Sequence, residues 1–192
     1  LLRPTAQQWD VLVESLQQFT TAFNAVAAYG WEQQQSNGVA LHHATYYSLR
    51  ATLPELPANV LIQARVKATE AVKSALALKR NGRRACQPQS RSMPIRFNDR
   101  TMATHWDTRD VSLSTVAGRQ VIAFRLPDFY QKYAGCRPCT ADLIERKGRF
   151  WLHVVVDVPK PEVVPSGTTV GVDLGIVRPA VSSNNKLFGQ RR

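Results

Sequence analysis

Residues 150 to 158 read Phe150-Trp151-Leu152-His153-Val154-Val155-Val156-Asp157-Val158. The apolar side chains at even positions would face one way along an extended chain, while Trp151, His153 and Asp157 would face the other. Alternation of this kind is typical of a β-strand with one buried face. The stretch therefore predicts a strand that covers a core, and the segments on either side can be placed around it.

Shorter runs with the same period of two precede this strand from Met93 onward. They cover residues 111–115, 121–126 and 141–146, and they are separated by turn signals at Ala117-Gly118 and Lys147-Gly148. A helical turn is predicted between strands over residues 128–133. Closely spaced short strands indicate an antiparallel barrel or a small sandwich, so we expect residues 93–160 to form one β domain.

The residues before Met93 follow a helical period instead. Thr5-Ala6-Gln7-Gln8 is a capping box, in which the Thr hydroxyl and the Gln amide satisfy free backbone donors. It predicts a long first helix that ends at Ser36-Asn37-Gly38. Two more helices are predicted over residues 44–53 and 59–80, and their apolar stripes are typical of core packing. The chain is therefore predicted to have an α+β fold.

The charge balance is strongly positive. The 192 residues contain 25 Lys plus Arg against 14 Asp plus Glu, a formal net charge of +11. Such a field attracts polyanions, of which nucleic acid is the commonest, although a generic basic surface gives the same balance. The three cysteines, an odd number, argue against a disulfide framework and fit a reducing, cytoplasmic location. No apolar stretch approaches the ~18 residues of a membrane span, so no membrane partner is expected.

A basic loop follows the third predicted helix. Its cations are Lys79, Arg80, Arg83, Arg84, Arg91 and Arg96. Gly and Pro interrupt it, and it has no apolar period. The loop is either a solvated linker or a flexible basic arm that contacts a phosphate backbone, and the charge of the whole chain favours the arm.

Two segments alternate aromatic rings with cations. They are Arg149-Phe150-Trp151 and Phe129-Tyr130-Gln131-Lys132-Tyr133. Such rings could stack on bases while the cations hold phosphates. The structural alternative places Phe150 in the core and makes Trp151 a plug of the barrel. We assign Phe150 to the core, and both alternatives stay open for Trp151.

The stretch Thr169-Val170-Gly171-Val172-Asp173-Leu174-Gly175-Ile176 places one carboxylate among apolar strand residues. This position is costly for an acid unless the acid is paired or binds a metal. Asp173 is therefore either a Mg²⁺ ligand at the edge of a sheet or a side chain that hydrogen-bonds a local turn. A second strand near residues 180–183 would return through Asn184-Asn185 as a hairpin.

Two other site types fit the residues less well. The Asp173 strand resembles the phosphate-binding opening of sugar kinases and Hsp70-type chaperones, but there Thr, Ser or Gly follows Asp-Leu-Gly, whereas Ile176 follows it here. The pair Cys136-Arg137-Pro138-Cys139 has the spacing of a zinc-binding pair, yet a closed zinc site needs four ligands. We therefore interpret these cysteines as an incidental surface turn rather than a zinc site.

Three stretches in order resemble the N-terminal half of TnpB proteins, the transposon-encoded RNA-guided nucleases, and of their descendants, the compact type V CRISPR effectors. The stretches are Leu2 to Gln8, then Tyr46-Tyr47-Ser48-Leu49-Arg50 with Leu56 to Leu61, then Ile144 to Pro159 followed by Val170 to Gly175. The resemblance implies that residues 1–4 end a first barrel strand and that 5–92 form a helical recognition lobe with the basic arm, inserted in the barrel. It implies further that 93–160 form a wedge-type β-barrel and that 161–192, after a proline-rich linker, begin a RuvC nuclease domain with a ribonuclease H-like fold.

The resemblance also implies an activity. Guide RNA and target DNA would be the partners, held by Lys79, Arg80, Arg83, Arg84, Arg91, Arg96, Arg149 and Trp151. Asp173 would be the first catalytic carboxylate of a site in which two Mg²⁺ ions hydrolyse a phosphodiester. Such a site needs at least three carboxylates, and no Asp or Glu follows Asp173. Cleavage by this segment alone is therefore not expected.

The chain ends give two further expectations. The first residues include no initiator Met and no signal peptide, and Arg191-Arg192 follow an incomplete β unit, so we expect the chain to be the front portion of a longer nuclease. The alternative is a stand-alone RNA-binding or regulatory protein derived from such a nuclease, in which Asp173 is a relic.

Overall fold

The computed structural model describes residues 1–160, 167, 169–176 and 179–189. The chain divides into two compact units, Leu1–Val158 and Pro159–Arg192. Three long helices of the first unit are α1 (Ala6–Glu32), α2 (Gly38–Thr52) and α3 (Ala58–Arg80). None of these helices combines the length and the apolar character that a bilayer crossing requires.

The start of α1 confirms the predicted capping box. The Thr5 hydroxyl accepts a hydrogen bond from the backbone N–H of Gln8, and the Gln8 side chain accepts one from the backbone N–H of Thr5. The face of α1 that carries Leu12, Phe19 and Val26 is fully buried, as the helical period predicts.

The predicted start of α2 was wrong by six residues. Ser36-Asn37-Gly38 was interpreted as a stop signal, but Asn37 is an N-cap, and its side-chain oxygen accepts hydrogen bonds from Val39 and Ala40. Asn and Gly are common at both helix ends, so the same residues fit a stop and a start. The predicted starts of α1 and α3 agree with the structure to within one residue.

Seven strands belong to the first unit. They are β1 (Leu2–Arg3), β2 (Ile95–Asn98), β3 (Met102–His105), β4 (Asp110–Thr115), β5 (Gly118–Phe124), β6 (Arg137–Glu145) and β7 (Phe150–Asp157). A four-stranded sheet has the order β1-β5-β4-β3, and a three-stranded sheet has the order β2-β6-β7. All pairs are antiparallel, and β1 lies beside β7 without a shared ladder. The predicted closed barrel is therefore wrong: within the described residues the strands form two open sheets, because no ladder joins β1 to β7.

The topology inserts the helices into a sheet. Leu2 of β1 pairs with Phe124 of β5, although the whole helical segment lies between them in the chain. The helices are fastened to the strands by side chains of α1. The Trp9 and Phe150 rings lie 4.6 Å apart, and Ser15 accepts a hydrogen bond from the backbone N–H of Val116 in the β4–β5 turn. One apolar core is therefore shared by the helices and both sheets.

The predicted alternation in β7 is confirmed. Phe150 is fully buried, Leu152 and Val154 are half-buried, and His153 and Asp157 are exposed. The predicted helical turn is also present as a 3₁₀ helix, Asp128–Tyr133. Strands β2 and β3 were not predicted individually, because each has only four residues.

The second unit contains a small antiparallel sheet. Its strands are β8 (Val172–Asp173), β9 (Ala180–Ser182) and β10 (Leu187–Phe188), and their order is β10-β9-β8. The return of the chain through Asn184 and Asn185 after β9 agrees with the predicted hairpin. The proline-rich linker was predicted mainly over residues that lie outside the described part of the chain.

Candidate nucleic-acid interface

The eight residues predicted to contact nucleic acid lie in three places of the first unit. Lys79 and Arg80 end α3, and Arg83, Arg84 and Arg91 lie on the segment after it, which we call the basic arm (residues 81–92). Arg96 lies in β2. Arg149 and Trp151 lie at the hairpin between β6 and β7.

The basic arm is held against α1 near its far end. The side-chain amide of Asn24 donates to the carbonyl of Ser90 at 2.8 Å, and its oxygen accepts from the N–H of Ser90 at 2.9 Å. The Thr20 hydroxyl accepts from the N–H of Met93 at 2.9 Å. A segment without regular structure is thus fixed through its own backbone groups, which leaves its side chains available.

Four arginines of this region point into solvent. Arg80, Arg83, Arg84 and Arg91 are exposed, and none makes an ion pair with a described residue. Neighbouring guanidinium groups repel one another unless counter-ions or a polyanion lie between them. The arrangement therefore favours an anionic partner that extends over several residues.

Lys79 has contacts within the protein. Its Nζ lies 5.3 Å from the centroid of the Trp31 ring and donates a hydrogen bond to Gln34 Oε1 at 3.2 Å. The first contact is a cation–π interaction. Lys79 therefore fixes the end of α3 against the end of α1, while its charge stays at the surface.

Arg96 is half-buried and is paired with an exposed acidic side chain. Its guanidinium forms a two-point ion pair with Glu70 of α3, with distances of 2.9 and 3.2 Å. The hydrogen bond to Glu70 is the main reason that the pKa of Arg96 lies above its ordinary value. An arginine held in this way joins α3 to β2, and it has little freedom to bind a phosphate.

The β6–β7 hairpin carries the remaining predicted residues. Lys147 and Gly148 form its two-residue turn with φ values of 54° and 66°, and Arg146 and Arg149 exchange backbone hydrogen bonds at its base. An open groove of about 640 Å³ is lined by Ile144, Arg146, Lys147, Arg149, Trp151 and His153. The site prediction omitted Arg146, Lys147 and His153, although Arg146 and Lys147 flank a turn that the sequence does indicate.

A second cavity adjoins this groove. Its volume is about 420 Å³, which lies in the range of small-molecule sites. Trp151 and His153 line both the cavity and the groove. Trp106, Phe124, Tyr130 and Tyr133 bring further rings to the cavity. The Trp151 side chain therefore lies between the aromatic cavity and the cationic groove, and it does not plug a barrel.

The 3₁₀ helix places Lys132 next to one ring that lines the cavity, Tyr133, and next to the exposed ring of Phe129. Lys132 Nζ lies 4.7 Å from the centroid of Phe129 and 5.1 Å from that of Tyr133. Arg109 donates to Gln131 Oε1 at 2.7 Å, which ties the turn to the strands. Phe129 is 69% exposed and Tyr130 is 49% exposed, so both rings can be reached from solvent.

Asp173 lies in the second unit, in the two-residue strand β8 beside Val181 of β9. Its side chain is exposed, and it makes no hydrogen bond with a described residue. The neighbouring Val172 and Leu174 are exposed as well. The buried setting that the apolar sequence indicated is therefore not found among the described residues, because β8 lies at the edge of a small sheet.

Metal ligands do not converge in the described part of the chain. No three side chains of His, Cys, Asp or Glu lie close enough together there to hold an ion. All three cysteines are free thiols, and the register of β6 against β7 shifts between Pro138 and Thr140, at Cys139. Comparison with protein-family models and with curated proteins found no match for this sequence.

Proposed function

We propose that this chain is the nucleic-acid-binding portion of an RNA-guided DNA endonuclease of the TnpB kind. In this proposal the two open sheets formed by residues 1–4 and 93–160 take the place of the family's wedge-type barrel and hold guide RNA, and residues 5–92 are a recognition lobe inserted between their strands. Residues 161–192 begin a RuvC domain. Base pairing by the guide would read the DNA sequence, while the protein contacts backbone shape.

The observation that carries the proposal is the basic arm. Its arginines are exposed and have no ion-pair partner among the described residues, yet Asn24 and Thr20 hold its far end against α1. The phosphates along a nucleic-acid strand provide the repeated negative charges that several exposed arginines bind. The net charge of +11 supports the same class of partner.

The order of the elements supports the nuclease family over other nucleic-acid-binding proteins. A first strand, an inserted helical segment, antiparallel strands and then a strand with Asp173 follow one another along the chain. The same order is implied by the resemblance to TnpB proteins.

The described residues of this chain do not by themselves provide a magnesium site. Asp173 is a single exposed carboxylate, and the described residues bring no second or third ligand to one place. A two-metal site needs several carboxylates in fixed positions. The proposal therefore assigns nucleic-acid binding to this chain and assigns the remaining metal ligands to a later part of the parent protein.

The second candidate function is a stand-alone RNA-binding or regulatory protein derived from such a nuclease. The exposed, isolated position of Asp173 favours it. The two candidates differ in the gene, because a nuclease requires a reading frame that continues past Arg192 and encodes a Glu and a second Asp on later strands.

Binding to structured RNA tests the proposal. We expect binding that weakens steeply between 50 and 200 mM salt, because phosphate contacts release counter-ions. Replacing Arg80, Arg83, Arg84 and Arg91 together by Gln should lower the salt slope by up to about 0.9 per lost contact. The matched variant with four Lys should keep the slope. The proposal would be contradicted by a Kd that does not change with salt concentration. It would also be contradicted if the affinities of the Gln and Lys variants had equal salt slopes.

A further inference from the structure

The groove at the β6–β7 hairpin and the neighbouring cavity share two lining residues and differ in chemical character. The groove side carries Arg146, Lys147 and Arg149, all of them exposed. The cavity side carries the rings of Trp106, Tyr130 and Tyr133. Trp151 and His153 line both sides and so join them.

Strand β7 places these groups side by side. It is the edge strand of the sheet β2-β6-β7, and five of its residues line the cavity. Residues at its start, next to the hairpin turn, reach the cationic groove as well. A ligand that follows β7 away from the turn therefore meets cations first and aromatic rings next.

We propose that this surface binds an unpaired stretch of RNA, with phosphates against Arg146, Lys147 and Arg149 and with bases against Trp151 and the rings of the cavity. The inference rests on the proposed function for the identity of the polymer as RNA. It adds that a single strand, rather than a duplex, occupies this place.

The rings exclude a duplex as the ligand. Bases in a duplex stack on one another, so their faces cannot reach an aromatic side chain, whereas unpaired bases stack readily on Trp and Tyr. The cavity has a volume of about 420 Å³, which is large enough for a planar base. A sequence-tolerant site results, since every base has an aromatic face.

Two acidic side chains next to the β6–β7 hairpin have partners within the protein. Glu145 uses its Oε1 to accept the N–H of Gly148 at 2.8 Å, so it stabilises the turn that presents the cations. Asp142, which pairs with His153 across the strands, is bound by Lys67 at 2.9 Å. Both negative charges are thus engaged by the protein.

The outer rings extend the surface. Phe129 and Tyr130 meet edge to face at 5.1 Å, and Lys132 lies over Phe129. An exposed ring beside a cation provides both contacts that one nucleotide needs, a stacking face and a charge for its phosphate. The surface therefore has room for more than one nucleotide.

The experiment uses the full 192-residue chain and three labelled probes: a twelve-nucleotide oligouridine, the same length of RNA duplex, and oligothymidine. Fluorescence anisotropy gives the Kd of each. We expect the oligouridine to bind more tightly than the duplex, and Trp151→Ala to weaken its binding roughly 5- to 100-fold, the range expected for one lost stacking contact. Duplex binding should stay unchanged in that variant.

Two further variants separate the two characters of the surface. Tyr130→Ala should weaken oligouridine binding with an unchanged salt slope, because it removes a ring and no charge. Lys147→Gln should lower the salt slope by about 0.7, the value for one phosphate contact of a single strand. The matched control is Tyr47→Ala, an exposed ring on α2 away from this surface, which should change nothing.

A crosslinking measurement covers the case in which Trp151→Ala does not fold. Oligouridine that contains 4-thiouridine should crosslink to the unmodified protein within the segments that form this surface, residues 129–133 and 144–156, as located by mass spectrometry. Crosslinks confined to other segments would overturn the inference. Equal affinity for oligothymidine would contradict the assignment of the ligand as RNA. Tighter binding of the duplex would contradict the assignment of the ligand as a single strand.

The outcomes also separate this inference from the proposed function. If the variant with Gln at positions 80, 83, 84 and 91 loses binding to structured RNA while Trp151→Ala and Tyr130→Ala bind oligouridine normally, the inference fails and the proposed function stands. If the chain binds no RNA at low salt, both fail.

Discussion

Lys67 is a lysine with only 9% of its side chain exposed, and it lies in the middle of α3. Its Nζ is 2.9 Å from Oδ1 of Asp142 in β6, and the Arg96 Nε lies 3.9 Å from the same oxygen. A buried ammonium without a counter-charge is strongly unfavourable. The Asp142 carboxylate therefore supplies the counter-charge that allows Lys67 of α3 to be buried against the sheet.

We expect Asp142→Asn to destabilise the first unit. The substitution keeps the shape of the side chain and removes the charge that Lys67 needs, so the free energy of unfolding should fall by about 1–3 kcal/mol. Urea unfolding followed by tryptophan fluorescence measures the change. The double variant Lys67→Met/Asp142→Asn is the control, and it should recover most of the loss. A double variant that is no more stable than Asp142→Asn would show that Lys67 is not the cause.

Asp110 gives the first unit a defined response to acid. A hydrogen bond from Thr108, then one from His105, holds the pKa of the Asp110 carboxyl below its ordinary value. The Nδ1 of His105 lies 2.5 Å from the carboxylate. Because the folded pKa is depressed, the ionised carboxylate stabilises the fold above the ordinary Asp pKa, and this stabilisation is lost as the pH falls through the folded pKa.

Melting temperatures between pH 6 and pH 2 check this expectation. Asp110→Asn should lower the Tm at pH 6 and should leave the Tm near pH 2 close to that of the unmodified protein, so the two curves converge as the pH falls. Curves that run parallel over the whole range would mean that the carboxyl does not titrate with an altered pKa.

At the scale of elements, the β6–β7 hairpin depends on two residues with positive φ. Lys147 has φ 54° and Gly148 has φ 66°, the conformation of a type I′ turn, in which Asn-Gly is the most favourable pair. A Cβ added at Gly148 would meet no atom within 4 Å, so the conformation alone decides the effect of a substitution there. A substitution of Gly148 therefore tests backbone strain alone, without a steric clash.

Two substitutions in this turn should act in opposite directions. We expect Gly148→Ala to lower the free energy of unfolding by about 1 kcal/mol, because alanine is strained at positive φ. Lys147→Asn should raise it by a few tenths of a kcal/mol, since asparagine tolerates this region better. Chemical denaturation measures both. The same sign for the two variants would show that the turn is not of this type.

The elements also show what local sequence determines. The capping box at Thr5 and the alternation in β7 depend on neighbouring residues, and both were predicted correctly. The pairing of Leu2 with Phe124 joins residues that are far apart in the chain, and no local pattern contains it. Likewise, the charge of Arg96 was visible, but its ion pair with Glu70 arises only when α3 packs on β2.

The candidate nucleic-acid interface also contains one part that local sequence predicts and one part that depends on the fold. Exposed arginines of the basic arm were found from charge alone, because a run of cations without an apolar period has no place in a core. Trp151, Tyr130 and Tyr133 line the same cavity only because the fold brings two separate segments of the chain together. Sequence could name both aromatic segments, but it could not place them on one surface.

At the scale of the whole molecule, the two units differ in what holds them together. The apolar core that the structure describes lies within the first unit, from Leu2 to Phe150. In the second unit Ser182 is the buried residue among those described, and Leu174 and Ile176 are exposed. The proposed binding surfaces thus lie on a packed scaffold, whereas Asp173 lies on a small sheet whose described residues are mostly exposed.

This contrast predicts how Asp173 contributes. With guide RNA and Mg²⁺ present, we expect the 192-residue chain to leave target DNA uncut, because one carboxylate cannot fix two metal ions. Asp173→Ala should leave the Kd for structured RNA unchanged within about twofold, since the exposed side chain has no described partner. Plasmid cleavage assays and anisotropy measure the two quantities, with Asp99→Ala, another exposed carboxylate, as the matched control. DNA cleavage by this chain that disappears in Asp173→Ala and persists in Asp99→Ala would show that its own residues complete the metal site.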